Sequence, residues 1–310
     1  MNDELMWHDS PALHRPVLLA AFTGWFDIAG GATGAVRHLG GDEGTLLASI
    51  EPDGFFDFTA RRPTVSLDSD GERVVAWPRN EFREGAAAGS DDSDDSEGPE
   101  GARGPRPAHD LVVLAGEEPN LRWATFADLV VEVVQRLRCE MVVTLGTVAD
   151  THPHTRQPLV FGSSTNEALA SRLGLSRPRY QGPTGVVGVL HERLDRLEVP
   201  AISLRAPVPH YLAASPNPKS TVALLQHLEH VLGVPTGHRA LAEEVAAWDR
   251  RHDQAVEEDD DAPAYVRQLE AVHDQRLEAA VAGEADLAAE LDAFLREQQD
   301  GGDPGDNQPG

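Results

Sequence analysis

One cysteine, Cys139, and one lysine, Lys219, are all that the chain has of either residue, and aromatic residues make up only 5% of it. A lone cysteine excludes any disulfide within the chain. Cys139 ends an apolar helical stretch just before Met141, where a small buried side chain packs, so it reads as a core residue rather than a reactive thiol. No apolar run approaches the roughly 18 residues that cross a bilayer. The first 16 residues carry neither the basic start nor the apolar middle of a secretory signal, and a cytoplasmic protein is expected. Basic residues are scarce too, 26 against 52 acidic ones, for a formal net charge of −26. That balance disfavours nucleic acid and anionic membranes as partners. No GxxxxGK[ST] is present, which excludes a P-loop, and no GxSxG, which removes the usual serine-hydrolase elbow.

What is there is a normal core: hydrophobic residues make up 40% of 310, enough for one large domain or one and a half. The charge is uneven. Residues 84–107 hold 7 acidic and 2 basic residues, and residues 238–310 hold 20 and 6. A halophile's acid coat would cover the whole surface. Acid concentrated in an insert and a tail, with 25 arginines to one lysine, fits the GC-rich coding of an actinobacterium instead.

Short apolar runs at 16–23 (PVLLAAFT), 110–115 (DLVVLA), 141–145 (MVVTL) and 200–206 (PAISLRA) read as buried strands, with further strands at 44–50 and 73–77. Helical periodicity occupies 27–39, 121–139, 165–173, 186–197 and 218–232. Strands alternating with amphipathic helices predict a three-layer α/β/α fold on a mostly parallel sheet. Residues 84–107 are low in complexity and cannot bury enough surface to offset ordering entropy, so a disordered acidic insert is expected there. Beyond 236 the texture changes to helices without strands, at 238–257, 263–281 and 284–298. The expected organisation is therefore an α/β domain over 1–236, a small helical appendage over 237–299 and a frayed tail over 300–310.

In parallel sheets, ligand sites form in the loops that leave the carboxyl ends of the strands. Four polar motifs lie in such places. They are Phe22-Thr-Gly-Trp-Phe-Asp27; Leu145-Gly-Thr-Val-Ala-Asp-Thr-His-Pro-His-Thr-Arg156; Tyr180-Gln-Gly-Pro-Thr-Gly185; and Val208-Pro-His-Tyr211, followed by Pro216-Asn-Pro-Lys219. Asp27 suits a helix N-cap. His152 and His154 flank Pro153, so an extended backbone points both the same way. With Asp150 they could ligate zinc or iron, serve as acid and base, or hold their loop by hydrogen bonds. Without a fuller ligand cluster no metal or cofactor is expected. His191-Glu192 lacks the second histidine of a zinc-protease helix. Thr165 and Thr184 precede helices, where they could cap the helix or help hold an anion. Lys219 sits in a first helical turn, where a cation opposes the helix dipole unless it faces an acid or a ligand. Together Trp25, Asp150, His152, His154, Thr184, His210 and Lys219 form the candidate pocket.

The four motifs, in order over residues 17–233, resemble those of the PAC2 family of proteasome-assembly-chaperone-like proteins. The resemblance implies an α/β/α fold similar to purine-nucleoside phosphorylases and peptidyl-tRNA-hydrolase-like enzymes. It also implies self-association as a homo-oligomer, such as a trimer, and in eukaryotic relatives the chaperoning of proteasome assembly. It supplies no catalytic residue. The expected function is thus a non-catalytic interaction or assembly factor. A hydrolase or phosphorylase acting on a small anionic or nucleoside-like molecule, and a ligand-binding regulator, are the alternatives.

Overall fold

The computed structural model describes residues 4–40, 44–86 and 109–278. Strands and helices follow in the order β1 (Leu5–Trp7), β2 (Val17–Thr23), α1 (Gly31–His38), β3 (Leu46–Ile50), β4 (Thr64–Leu67), β5 (Arg73–Ala76), β6 (Asn80–Gly85) and β7 (Leu111–Glu117). The chain continues through α2 (Trp123–Arg136), β8 (Met141–Asp150), β9 (Phe161–Ser163), α3 (Glu167–Leu173), α4 (Val186–Arg196), β10 (Ala201–Pro209), α5 (Pro218–Leu232) and α6 (Ala242–Glu257). It divides into two compact units between His252 and Asp253. The second unit is described up to residue 278 and is helical over 262–278. The alternation of strands and helices stops near 236, whereas the first unit runs on into α6. The helix expected at 284–298, the tail, and the insert from 87 onward lie outside the described residues.

Eight strands form one mixed sheet in the order β1-β3-β6-β7-β2-β8-β10-β9. Its centre, β7-β2-β8-β10, is parallel, and these are the strands that read as apolar runs. Antiparallel strands extend it at both sides. Along β2, Leu18, Ala20 and Phe22 point to one face, and Val17, Leu19 and Ala21 to the other. Both sets are buried because both faces are covered, which is why the strand shows no alternation of polarity. The first face packs against Phe126, Leu129, Val130 and Val133 of α2 and Leu190 and Leu194 of α4. The second packs against Ala32, Ala35 and Val36 of α1 and Leu224, Leu225 and Leu228 of α5. The three-layer expectation is met. Among the described residues no helix is long and apolar enough to cross a membrane.

Three local expectations are corrected, and one strand was not foreseen. The 73–77 strand does not join the main sheet: β5 pairs only with β4, in a separate two-stranded hairpin. Strand β6 escapes an apolar-run search because Asn80 and Phe82 face inward while Glu81 and Arg83 alternate with them. It also takes in Glu84 and Gly85, where disorder was expected to begin. The helix expected from Asp27 is a 3-10 turn over Ile28–Gly30 before α1 proper.

Candidate functional site

The loop after β2 turns at Gly24, whose φ of +149° is a conformation that L side chains rarely adopt. A Cβ there would also lie 2.7 Å from Glu118 Oε2. Glu118, just beyond β7, is the hub of this corner. Its Oε2 accepts from the Trp25 N–H at 3.4 Å and its Oε1 from the Val186 N–H at 3.0 Å. A carboxylate on the first amide of α4 caps that helix and complements its dipole. Thr184 therefore is not the cap. Gly185 occupies the cap position, and Thr184 is exposed, with its hydroxyl packed over Gly188. Thr165 is not a cap either, since Asn166 accepts from the Leu169 N–H at the start of α3. The Trp25 side chain stands 58% exposed.

Asp27 is buried and fully used. Oδ1 accepts from the Ala32 and Thr33 amides at 2.8 and 3.2 Å, and Oδ2 from the Thr33 hydroxyl at 2.5 Å. It caps α1 from across the 3-10 turn. This is the structural role foreseen for it, exercised on a helix that starts later.

The other candidates gather where β8 and β10 end side by side, with Asp150 in register with Pro209. His210 Nδ1 lies 3.1 Å from the Asp150 carbonyl, to which it donates, and the exposed Asp150 carboxylate accepts from the Thr151 amide at 2.7 Å. His152 and His154 are buried. His152 Nε2 donates to the Arg156 carbonyl at 3.1 Å, closing its own loop. The His154 amide donates to the Tyr211 hydroxyl at 2.9 Å, and that hydroxyl in turn bonds His154 Nδ1 at 2.7 Å.

Lys219, also buried, donates to the His154 carbonyl at 2.6 Å and meets Asp249 Oδ1 at 3.0 Å. The Asp249 contact lacks the alignment of a hydrogen bond, so it is an ion pair. The acid that a cation in a first turn requires is thus supplied by α6. The same helix lays Trp248 and His252 against the His154 ring, at centroid distances of 6.3 and 6.5 Å.

The seven candidates therefore do not surround one opening. Trp25 and Thr184 belong to the corner around Glu118; His154 and Lys219 fasten the β8 loop to α5 and α6, and Asp150, His152 and His210 hold the ends of β8 and β10 and the loop between. A groove of about 200 Å³ lies where α1 meets α5, and a recess of about 440 Å³ lies at the amino end of β8. None of the seven lines either. Among the described residues no three His, Cys, Asp or Glu side chains stand where they could hold one metal ion. Glu118, Asp249 and His252 were not among the expected site residues. Nothing local marks them, since each acts on residues about 30 to 100 positions away.

The PAC2 family model matches residues 21–256. The chain belongs to the PAC2 family. Solved structures agree. A PAC2 family protein from Streptomyces avermitilis is 36% identical, with a TM-score of 0.69, covering 81% of this chain and 99% of that one. A Mycobacterium tuberculosis proteasome-assembly chaperone homologue is 33% identical, with a TM-score of 0.67 and the same coverage. PbaB of Pyrococcus furiosus, an archaeal proteasome activator, shares the fold at 16% identity and a TM-score of 0.58, covering 81% of this chain and 97% of that one. No curated protein matches. The PAC2 match runs through α6, so the Lys219–Asp249 fastening lies inside the family region.

Proposed function

We propose that this PAC2 protein is a non-catalytic assembly factor of the cytoplasm, acting as a homo-oligomer on another protein complex. The observation that carries this reading is the division of labour at the carboxyl edge of the sheet. The groups with acid, base or ligand chemistry are bonded to backbone and to one another, and beside the exposed Asp150 and His210 this edge offers large apolar side chains outward. Trp25, Leu121 and Tyr180 leave that edge exposed, Tyr180 by 69%. Side chains of this kind dominate protein interfaces rather than small-molecule chemistry. The assembly-chaperone homologue at 33% identity supplies the candidate partner, a proteasome-type particle.

The test is sedimentation of the full chain with the purified core particle of the same organism. Co-sedimentation, weakened about tenfold or more by Trp25→Ala, is expected, since an interface aromatic anchor contributes on the order of 2 kcal/mol. A chain that neither binds the particle nor alters its assembly would refute the reading. Static light scattering gives the oligomeric state independently.

A further inference from the structure

The hairpin β4–β5 stands apart from the main sheet, and every residue of both strands is exposed. Its side chains are nevertheless sorted. The register pairs Val65 with Val75 and Leu67 with Arg73, so these four share one face, which Trp77 extends. Leu67 is 70% exposed, Val65 51% and Trp77 46%. Trp77 is held at its base by Phe58, ring centroids 4.9 Å apart. An isolated two-stranded hairpin is marginal in water, and further strands or a packed face stabilise it.

The hydrogen-bond parity identifies the open edge. The Asp68 N–H bonds the Glu72 carbonyl, so Asp68, Ser66 and Thr64 turn their backbone groups toward β5. Val65 and Leu67 turn theirs outward, and Pro63 before them has no N–H to offer. On β5 the outward residues include Arg73, a charged edge residue of the kind that discourages pairing. On β4 they are two uncharged apolar residues.

We propose that β4 pairs antiparallel with β4 of a second copy of this chain, centred on Ser66, to make a continuous four-stranded sheet. This inference rests on the homo-oligomer reading and assigns its interface. In this register Val65 faces Leu67 of the copy, and each pair can exchange both of its outward N–H···O bonds. The two-fold arrangement is self-complementary, as a closed dimer contact must be. Charge favours the same partner in the same orientation. The strand is basic at its start, with Arg61 and Arg62, and acidic beyond its end, with Asp68 and Asp70. Antiparallel pairing brings Arg62 beside the Asp68–Asp70 turn of the copy. Between Phe58 and Asn80 four arginines meet three acids, in a chain of net charge −26. This arm carries less negative charge than the chain as a whole, so two copies can approach through it with reduced repulsion.

The test uses the full chain at micromolar concentration. Ser66→Cys should link covalently to its own copy under mild oxidation, because Cα atoms of a directly opposed pair lie about 4.5–5.5 Å apart. Thr64→Cys, displaced from its own copy by four positions, should not. Leu67→Asp should lower the mass by light scattering while circular dichroism and melting stay unchanged. Arg62→Asp should weaken association at low salt, and Arg62→Asp with Asp70→Arg should restore it. A wild-type chain that is monomeric throughout would overturn both this inference and the oligomer reading. A wild-type oligomer that Leu67→Asp leaves intact, or in which Ser66→Cys does not link, would overturn the β4 interface alone.

Discussion

Replacing Lys219 by Met keeps the length and apolar stem of the side chain and removes only its charge. The loss can be worked out contact by contact. The bond to the His154 carbonyl, 2.6 Å long and buried, comes from a charged donor and contributes about 1.5–3 kcal/mol. Asp249 is 35% exposed, so solvent screens the ion pair and limits it to about 1 kcal/mol or less. The Trp248 ring, 5.8 Å from Nζ, is near the limit of cation–π attraction and adds little. Lys219→Met should therefore cost about 3 kcal/mol. For a unit of this size that is a fall of roughly 6–12 °C in melting temperature. Asp249→Asn should cost about 1 kcal/mol. The double variant should cost little more than Lys219→Met, since the ion pair is then lost only once. Differential scanning calorimetry of the four proteins completes the cycle. A Lys219→Met chain melting within 2 °C or so of wild type would show that the buried lysine is not a fastening.

Asp27→Ala removes the acceptor for two amides and a hydroxyl at the start of α1 and should cost about 1–2 kcal/mol in urea unfolding. His191 should make stability depend on pH. Burial first, then the nearby Arg205 charge, lower its pKa from 6.5 to about 4. Below pH 6.5 the unfolded chain takes up a proton that the folded chain refuses. Stability should fall between about pH 6.5 and 4, by up to about 3 kcal/mol, and His191→Gln should flatten that slope. Burial pushes the Cys139 thiol up to about 12, so alkylation of the folded chain at neutral pH should be roughly a thousandfold slower than that of the denatured chain.

The sequence displays the parallel core because a strand buried on both faces must be apolar throughout, and 16–23, 110–115, 141–145 and 200–206 each are. The antiparallel additions are hard to see for the converse reason. Strands β1 and β9 have three residues each, and β6 hides its two inward residues among charges. At the site, local chemistry is readable: Asp27 as a cap and Lys219 as a cation in need of an acid. The identity of that acid is not readable, because Asp249 lies thirty residues along on another helix. Glu118 is obscured in the same way. A carboxylate after a strand is unremarkable until the fold brings the α4 amide to it.

The neighbours of β2 also bear on how the chain comes off the ribosome. Val17 pairs with Leu111 and with Met141, so the strand made first among the central four waits for its partners. At about 5–20 residues per second the second partner emerges on the order of ten seconds later. Throughout that interval seven residues, VLLAAFT, lack part of the set of neighbours that buries them. Translation to about residue 150 is thus an exposed phase of this protein's own biogenesis, in which a nascent-chain chaperone would find its target.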